Sequence, residues 1–394
     1  MMEYMNTISD INNTINSFVW GPPMLILLLG AGIYFTIKTG FFQIRYFGFV
    51  IKNTFFTLFK NKKRTSKGAI TPFQALTTAL ASTIGTGNIV GVATAIAIGG
   101  PGSVFWLWLS AFFGMMTKYS EILLSIKYRK RNDEGNFVGG PMYYLEEGLN
   151  MKCLGVLFAV FGFFASFGIG NIAQINSIAV AFQNSLNINP LITGICIAIA
   201  ISFIIVGGVN RIAHTTEKLV PYMIIFYFTI TFIALIVNGK NIPAAFMMIL
   251  SHALKPTSAI GGFAGASILL TVKSGVSKGI FSNEAGLGSS PIAHAAADTG
   301  HPVNQAVWGI FEVFIVTVVI CTTTALVILT SGVWSCGLQG VELTISAFST
   351  VFPVFAPHAI AISIFFFAFS TLVSWCYYGE RCLEYLLKTC NFNV

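Results

Sequence analysis

The residues best placed to do chemistry are Ile84-Gly85-Thr86-Gly87-Asn88, at the centre of an apolar run over 71–102. Two glycines around a threonine, with an asparagine behind them, lower helix propensity. They do so at a depth where the bilayer offers no partner to a free amide or carbonyl. Such backbone persists only buried in protein or lining a cavity, so the run is expected to be a helix broken at its middle. The ends of the half-helices then offer amide hydrogens to an anionic group and carbonyl oxygens to a cation. That chemistry suits an amino-acid zwitterion with a coupling cation. Gly87 and Gly91 also make a GxxxG, which by itself signals close helix packing. A dinucleotide fingerprint is excluded, because Val90 holds the third glycine position and no strand precedes it.

A second polar cluster, Ser282, Asn283 and Glu284, interrupts a later apolar stretch and reads as the counterpart of the first break. An intramembrane carboxylate is costly and is either functional or paired, so Glu284 serves the site or partners Lys273 or Lys278. Asn171, Gln174 and Asn176 sit in another apolar span, with Asn171 and Gln174 three apart on one helical face. These amides either join helices or reach a ligand. Thr371 and Trp375 are one turn apart; Trp375 either caps a small pocket or belongs to an interfacial aromatic belt, as Trp106 and Trp108 are read. Glu121 and Glu312 are read as structural, near span ends. The five histidines form no ligand pair and are taken as structural. An intramembrane protease is excluded: the three aspartates, Asp10, Asp133 and Asp298, make no in-span pair and no HExxH occurs. No enzyme activity is expected. A channel would need a continuously lined pore instead of a closed site.

The elements that position these residues are membrane helices. Of 394 residues, 55% are hydrophobic and 9% charged, far more apolar surface than a soluble domain buries. Nine apolar runs approach the length of a helical span, and their continuity excludes a β-barrel. The net charge of +8 is topological: eight of the 22 basic residues lie within 38–67. Short basic loops mark the cytoplasmic side, which places the N-terminus outside a cell membrane and leaves no role for nucleic acid. Phenylalanines alternating with bases over 41–59 predict an amphipathic helix on the inner surface. The seven cysteines are scattered, without metal-type spacing. No signal peptide is evident. Spans are expected over 18–37, 103–126, 154–182, 191–208, 219–237, 307–329 and 359–378, with 210–218 a cytoplasmic loop. Residues 132–149 form a loop with a short helix, and 244–250 lie along the outer surface. Residues 258–271 make a half-span that leads into the second break.

Two interrupted segments, near 71 and 258, each followed by an ordinary span, begin two similar blocks. Five crossings follow the first start, an odd number, so the second block begins on the opposite side of the membrane, as in inverted-repeat transporters. The expected division is 1–70 as an extra span with a basic segment, 71–240 as a first five-helix repeat and 241–394 as a second repeat. The second holds three spans, so about two C-terminal helices are expected to be missing.

The stretches TPFQALTTALASTIGTGNIVG, GGPGSVFWLWLSAFFG, GNIAQINS, GIFSNEAGLGSSPIAHAAADTGHP and FAFSTLVSWCYYGE closely resemble the alanine or glycine:cation symporter family. Ser103 and Leu107 depart mildly from its pattern. The resemblance, from about Phe18 to the end, implies an all-α polytopic membrane protein of the leucine-transporter-like inverted-repeat fold, with one extra N-terminal helix. It implies sodium-coupled symport of alanine or glycine by alternating access. Thr83, Gly85, Thr86, Gly87 and Asn88 would bind substrate with Asn171, Gln174, Ser282, Asn283, Thr371 and Trp375. Sodium would lie at Ala81, Ile84, Ser370 and Thr371, hard oxygen donors for an alkali cation. No cofactor other than the ion and a monomer in the lipid bilayer are expected. Proton coupling through Glu284 and an inactive shortened product stand as alternatives.

Overall fold

The computed structural model describes residues 10–12, 14–16, 18–57, 68–254 and 268–389. The lead before Asp10, the basic residues of 60–67, most of the half-span from 258 and Cys390 lie outside the described residues. The first apolar helix is α1, Pro22–Lys38. The first broken segment follows as α2, Pro72–Thr83, and α3, Val90–Gly99, with a short 3-10 turn Thr86–Asn88 between them. Its start is written in the sequence. The Thr71 hydroxyl accepts from the Gln74 amide, the Gln74 side chain accepts from the Thr71 amide, and Pro72 occupies the first turn. Next come α4, Ser103–Lys127, a two-stranded hairpin of β1, Lys130–Arg131, and β2, Phe137–Val138, and α5, Pro141–Leu149. Then follow α6, Lys152–Leu186, with a π-helical stretch Ser166–Ile172, α7, Pro190–Ile205, α8, Gly208–Val237, and α9, Ile242–His252. The second broken segment comprises α10, Ile268–Asn283, and α11, Ser290–Ala295. After it come α12, Pro302–Thr330, α13, Gly340–Ser349, and α14, Ala356–Thr389.

Among the described residues, four helices are long and apolar enough to cross a membrane: α6, α8, α12 and α14. The shorter α1, α3 and α7 are also apolar. Several expectations are corrected. Residues 210–218, expected as a loop, form the first turns of α8, because Ile212, Ala213 and Thr216 are buried. The amphipathic helix expected over 41–59 is divided into Phe42–Arg45, Phe47–Asn53 and a 3-10 turn Phe55–Thr57. The non-helical Tyr46 and Thr54 interrupt it. Residues 273–279 continue α10 instead of breaking it. Helix α13 has no counterpart in the sequence expectations.

The two broken segments run antiparallel, side by side. At one end Ile70 pairs with the strand-like stretch after α11: its amide donates to the Ala296 carbonyl at 3.0 Å, and its carbonyl accepts from the Asp298 amide at 2.8 Å. At the other end the Thr271 hydroxyl donates to the Gly99 carbonyl at 2.8 Å, and Ser274 donates to Ala95. The two breaks therefore meet in the middle. The second break needs left-handed backbone at Glu284, Gly286 and Gly288. Glycine adopts it without strain at two of the three, whereas Glu284 does so against the ordinary preference of a side-chain-bearing residue.

Around this pair the largest buried cluster gathers Leu107 and Met116 of α4, Tyr227 of α8, Ile310 and Ile320 of α12, and Phe367 of α14. Helix α10 lies against α4 through small residues. A Cβ on Gly275 would fall 2.2 Å from the Ser103 carbonyl oxygen and 2.7 Å from Trp106 Cβ. Without a hydrophobic drive between helices in lipid, such close backbone approach supplies the packing energy. Gly275→Ala is expected to destabilise the protein by about 1–3 kcal/mol, as overpacked positions do. Gly194→Ala in α7, which meets open space, should be neutral or slightly stabilising. Unfolding midpoints of the two variants in detergent check both expectations.

Candidate functional site

The first break begins where α2 ends at Thr83 and the backbone of Gly85 turns extended. Asn88 holds its shape. The side-chain amide donates to the Thr83 carbonyl at 2.9 Å, and its oxygen accepts from Ser282 at 2.6 Å and from Cys321. The Thr324 hydroxyl donates to the Asn88 carbonyl at 3.0 Å. Asn88 and Ser282 thus clasp the two breaks, and Ser282 also meets Thr317 at 3.2 Å. The Thr86 amide and hydroxyl both point at Gln174 Oε1, at 3.5 and 3.2 Å. A buried glutamine oxygen therefore occupies the place where this helix end presents its donors.

A cavity of about 20 Å³, room for one or two waters, lies between the breaks. Its walls include Gly85, Gly87, Gln174, Glu284, Thr371 and Trp375. Glu284 brings its carboxylate to this wall, where it accepts from the Ser82 hydroxyl at 3.3 Å, from the Trp375 indole at 3.2 Å and from Ser289. Among the described residues, neither Lys273 nor Lys278 is an ion-pair partner of it. Trp375 is buried, and its indole is turned to the site. Its ring packs so tightly on α6 that a Cβ on Gly170 would lie 2.5 Å from Trp375 Cβ. Trp106 and Trp108 are half-buried and donate to the Ala253 carbonyl and the Thr322 hydroxyl. A larger apolar cleft of about 390 Å³ opens on the far side of Trp375 and Tyr378. Its lining is mostly aliphatic and aromatic and offers nothing to hold two opposite charges.

A second constellation adjoins the cavity. Ser370 and Thr371 of α14 both direct their hydroxyls at the Ala81 carbonyl, at 3.2 and 3.0 Å, and Thr371 also reaches the Ser82 carbonyl at 3.4 Å. Three of the four residues expected at the cation site are therefore together. Ile84 is fully buried, and among the described residues no hydrogen bond ties it to these hydroxyls. Thr83 lines the small cavity. Asn171 does not. The π-helical stretch Ser166–Ile172 widens the helix, so the three-residue spacing no longer puts Asn171 beside Gln174. Its amide bonds the Ser166 carbonyl and accepts from Cys376. Asn283 also turns away, its oxygen capping the Ala285 amide at 2.9 Å.

Sequence reasoning missed an ion pair. Lys118 of α4 and Glu312 of α12, both without solvent exposure, lie 3.2 Å apart. Lys118 also donates to the Asn283 carbonyl at 2.6 Å. Glu312 collects the Thr83 hydroxyl, the Ser290 hydroxyl and the His294 ring at 3.3, 3.1 and 3.4 Å, and Gln305 holds the other nitrogen of His294 at 2.8 Å. One carboxylate therefore joins α2, α4, α11 and α12. Glu312 is not at a span end: it lies ten residues inside α12. The signal was present, since a charge deep within an apolar helix demands a partner.

Removing one member of a buried pair leaves an uncompensated charge and costs about 3–5 kcal/mol, whereas replacing both costs far less. Lys118→Met and Glu312→Gln are each expected to lower the unfolding midpoint in detergent strongly, and the double variant should recover most of the loss. The profile of the sodium:alanine symporter family matches residues 5–394. The sodium/alanine symporter AgcS of Methanococcus maripaludis is 48% identical over 385 residues, covering 96% of this chain and 83% of that protein. An uncharacterized transporter of Haemophilus influenzae is 46% identical over 384 residues, covering 97% and 83%. Among solved structures, a manganese transporter of Eremococcus coleocola aligns with a TM-score of 0.58 at 11% identity, over 80% of this chain and 65% of its own length. That likeness concerns the fold alone. The chain is a helical membrane transporter, not an enzyme, and it belongs to the sodium:alanine symporter family.

Proposed function

We propose that this protein carries a small neutral amino acid, alanine or glycine, across the cell membrane together with sodium, by alternating access. The observation that carries the reading is the pair of opposed polar ends around one small cavity. Gln174, whose oxygen meets the Thr86 amide and hydroxyl, and the Glu284 carboxylate both line it. A zwitterion matches both: its carboxylate replaces Gln174 Oε1 at the helix end, and its ammonium faces Glu284. Trp375 and the closeness of the two breaks favour a substrate with little or no side chain. Sodium takes the oxygens of Ala81, Ser370 and Thr371, with Ile84 completing the set, as hard donors suit an alkali ion. Gly85 links the two ligands physically, because a Cβ there would lie 2.8 Å from Thr371 Oγ1. Each ligand then stabilises the closed arrangement that the other needs, which is coupling.

The antiparallel course of the two broken segments supports a leucine-transporter-like arrangement, with residues 71–240 and 241–394 as oppositely oriented blocks and α1 outside them. The basic segment after α1 supports an external N-terminus. Asn88 and Ser282 act by fastening the breaks, and Asn171 and Asn283 by shaping the helices that carry Gln174 and Glu284. Glu284 in the cavity wall also gives proton coupling a specific basis, as a second reading. Uptake would then follow a pH gradient in the absence of sodium.

Proteoliposomes with an imposed sodium gradient test the reading. Labelled alanine should accumulate with inward sodium and not with a proton gradient alone. Thr371→Val, which keeps the shape and removes the hydroxyl, should raise the sodium concentration for half-maximal uptake by about tenfold or more, since even the outer-shell partners of a metal site carry that much affinity. Sodium-independent uptake, or an unaltered sodium requirement in Thr371→Val, contradicts it.

A further inference from the structure

A third cavity, of about 480 Å³, runs along α10 toward the second break, lined by Trp20, Ile98, Lys273, Ser277, Lys278 and Phe281 among others. Both lysines are half-buried. Neither is in an ion pair among the described residues, and the nearest charge-related contact of Lys278 is the Phe281 ring, 5.8 Å from its nitrogen. This contrasts with Lys118, which is met by Glu312 and a carbonyl. An ammonium on a helix at membrane depth is tolerated when it faces a water-filled cavity, and it is then a functional residue by default. Low-dielectric walls around such a cavity focus its positive field and raise the local concentration of anions.

The cavity leads to the break. Phe281 lines it and also lines the small cavity between the breaks. Its ring rests on Gly87, where a Cβ would lie 2.8 Å from Phe281 Cδ1. The Phe281 ring, with Ile169 beside both cavities, therefore stands between a positively charged chamber and the amide end that awaits a carboxylate.

We propose that Lys273 and Lys278 form an anion-collecting antechamber that takes small carboxylates and holds the incoming amino acid by its carboxylate before it passes Phe281. The inference rests on the amino-acid symport reading above. The chamber lies on the face where α3 ends and α10 begins, the outer face in the proposed orientation. It discriminates by charge, whereas the site beyond also demands the ammonium.

The test compares alanine transport in right-side-out and inside-out membrane vesicles. For the double variant Lys273→Gln/Lys278→Gln, KM for uptake from the outer face should rise about three- to tenfold, as expected for two partly screened charges. Vmax should be unchanged, KM from the inner face unaltered, and the Lys278→Arg variant close to wild type. In the wild type, propionate but not propylamine should compete with alanine at the outer face, and Lys278→Gln should weaken that competition. An unchanged KM, an equal rise from both faces, or propionate competition undiminished in Lys278→Gln overturns the proposal. A wild type without sodium-driven alanine uptake instead defeats the symport reading, before any variant is made.

Discussion

Everything in this molecule answers to one requirement: backbone polar groups inside a bilayer must find partners. Two helices give up their internal hydrogen bonds at mid-length, and each can do so only because the other lies beside it, running the opposite way. Asn88 of one break receives Ser282 of the other. Ser82 at the end of α2 donates to Glu284, the first residue after α10. The contacts at the outer ends, a parallel bridge of Ile70 with the stretch 296–298 and the Thr271 hydroxyl on Gly99, set the register that brings the breaks level. A polar cavity at the centre is what remains after these partnerships are made.

The charged residues divide by the company they keep. Glu312 and Lys118 neutralise each other away from water and fasten four helix segments together. Buried pairs of this kind contribute little net stability but are severe when broken, so they enforce one arrangement over others. Glu284 has no cationic partner within ion-pair distance among the described residues; it is met by hydroxyls and an indole. Neutral donors can stabilise a carboxylate while leaving its charge uncompensated. On the proposed reading that charge awaits an ammonium.

Much of this was legible in the residues. The glycines of 85–87, with a threonine between them and an asparagine behind, marked the first break because together they lower helix propensity in an apolar run, and Thr71 with Gln74 marked where its helix begins. Gln174 and Trp375 were legible as polar groups within a span, and both face the cavity. Asn171 was misleading because its spacing assumed an α-helix, and the π-helical stretch cannot be read from the chain without its neighbours. Lys118 and Glu312 were overlooked for a different reason. Partners 194 positions apart in the chain are joined by tertiary packing that no local pattern records. The helical character of 210–218 was hidden by its charges, although the buried face of Ile212 and Thr216 follows helical spacing.

The central claim is that one broken-helix site binds amino acid and sodium together. Binding to the purified protein tests it most directly, through the alanine dissociation constant with and without saturating sodium and the sodium constant with and without saturating alanine. The account predicts that each ligand tightens the other by the same factor, as linkage through a shared closed state requires. Alanine affinity independent of sodium, or alanine bound while the Thr86 and Gly87 amides stay unchanged in solution spectra, contradicts it.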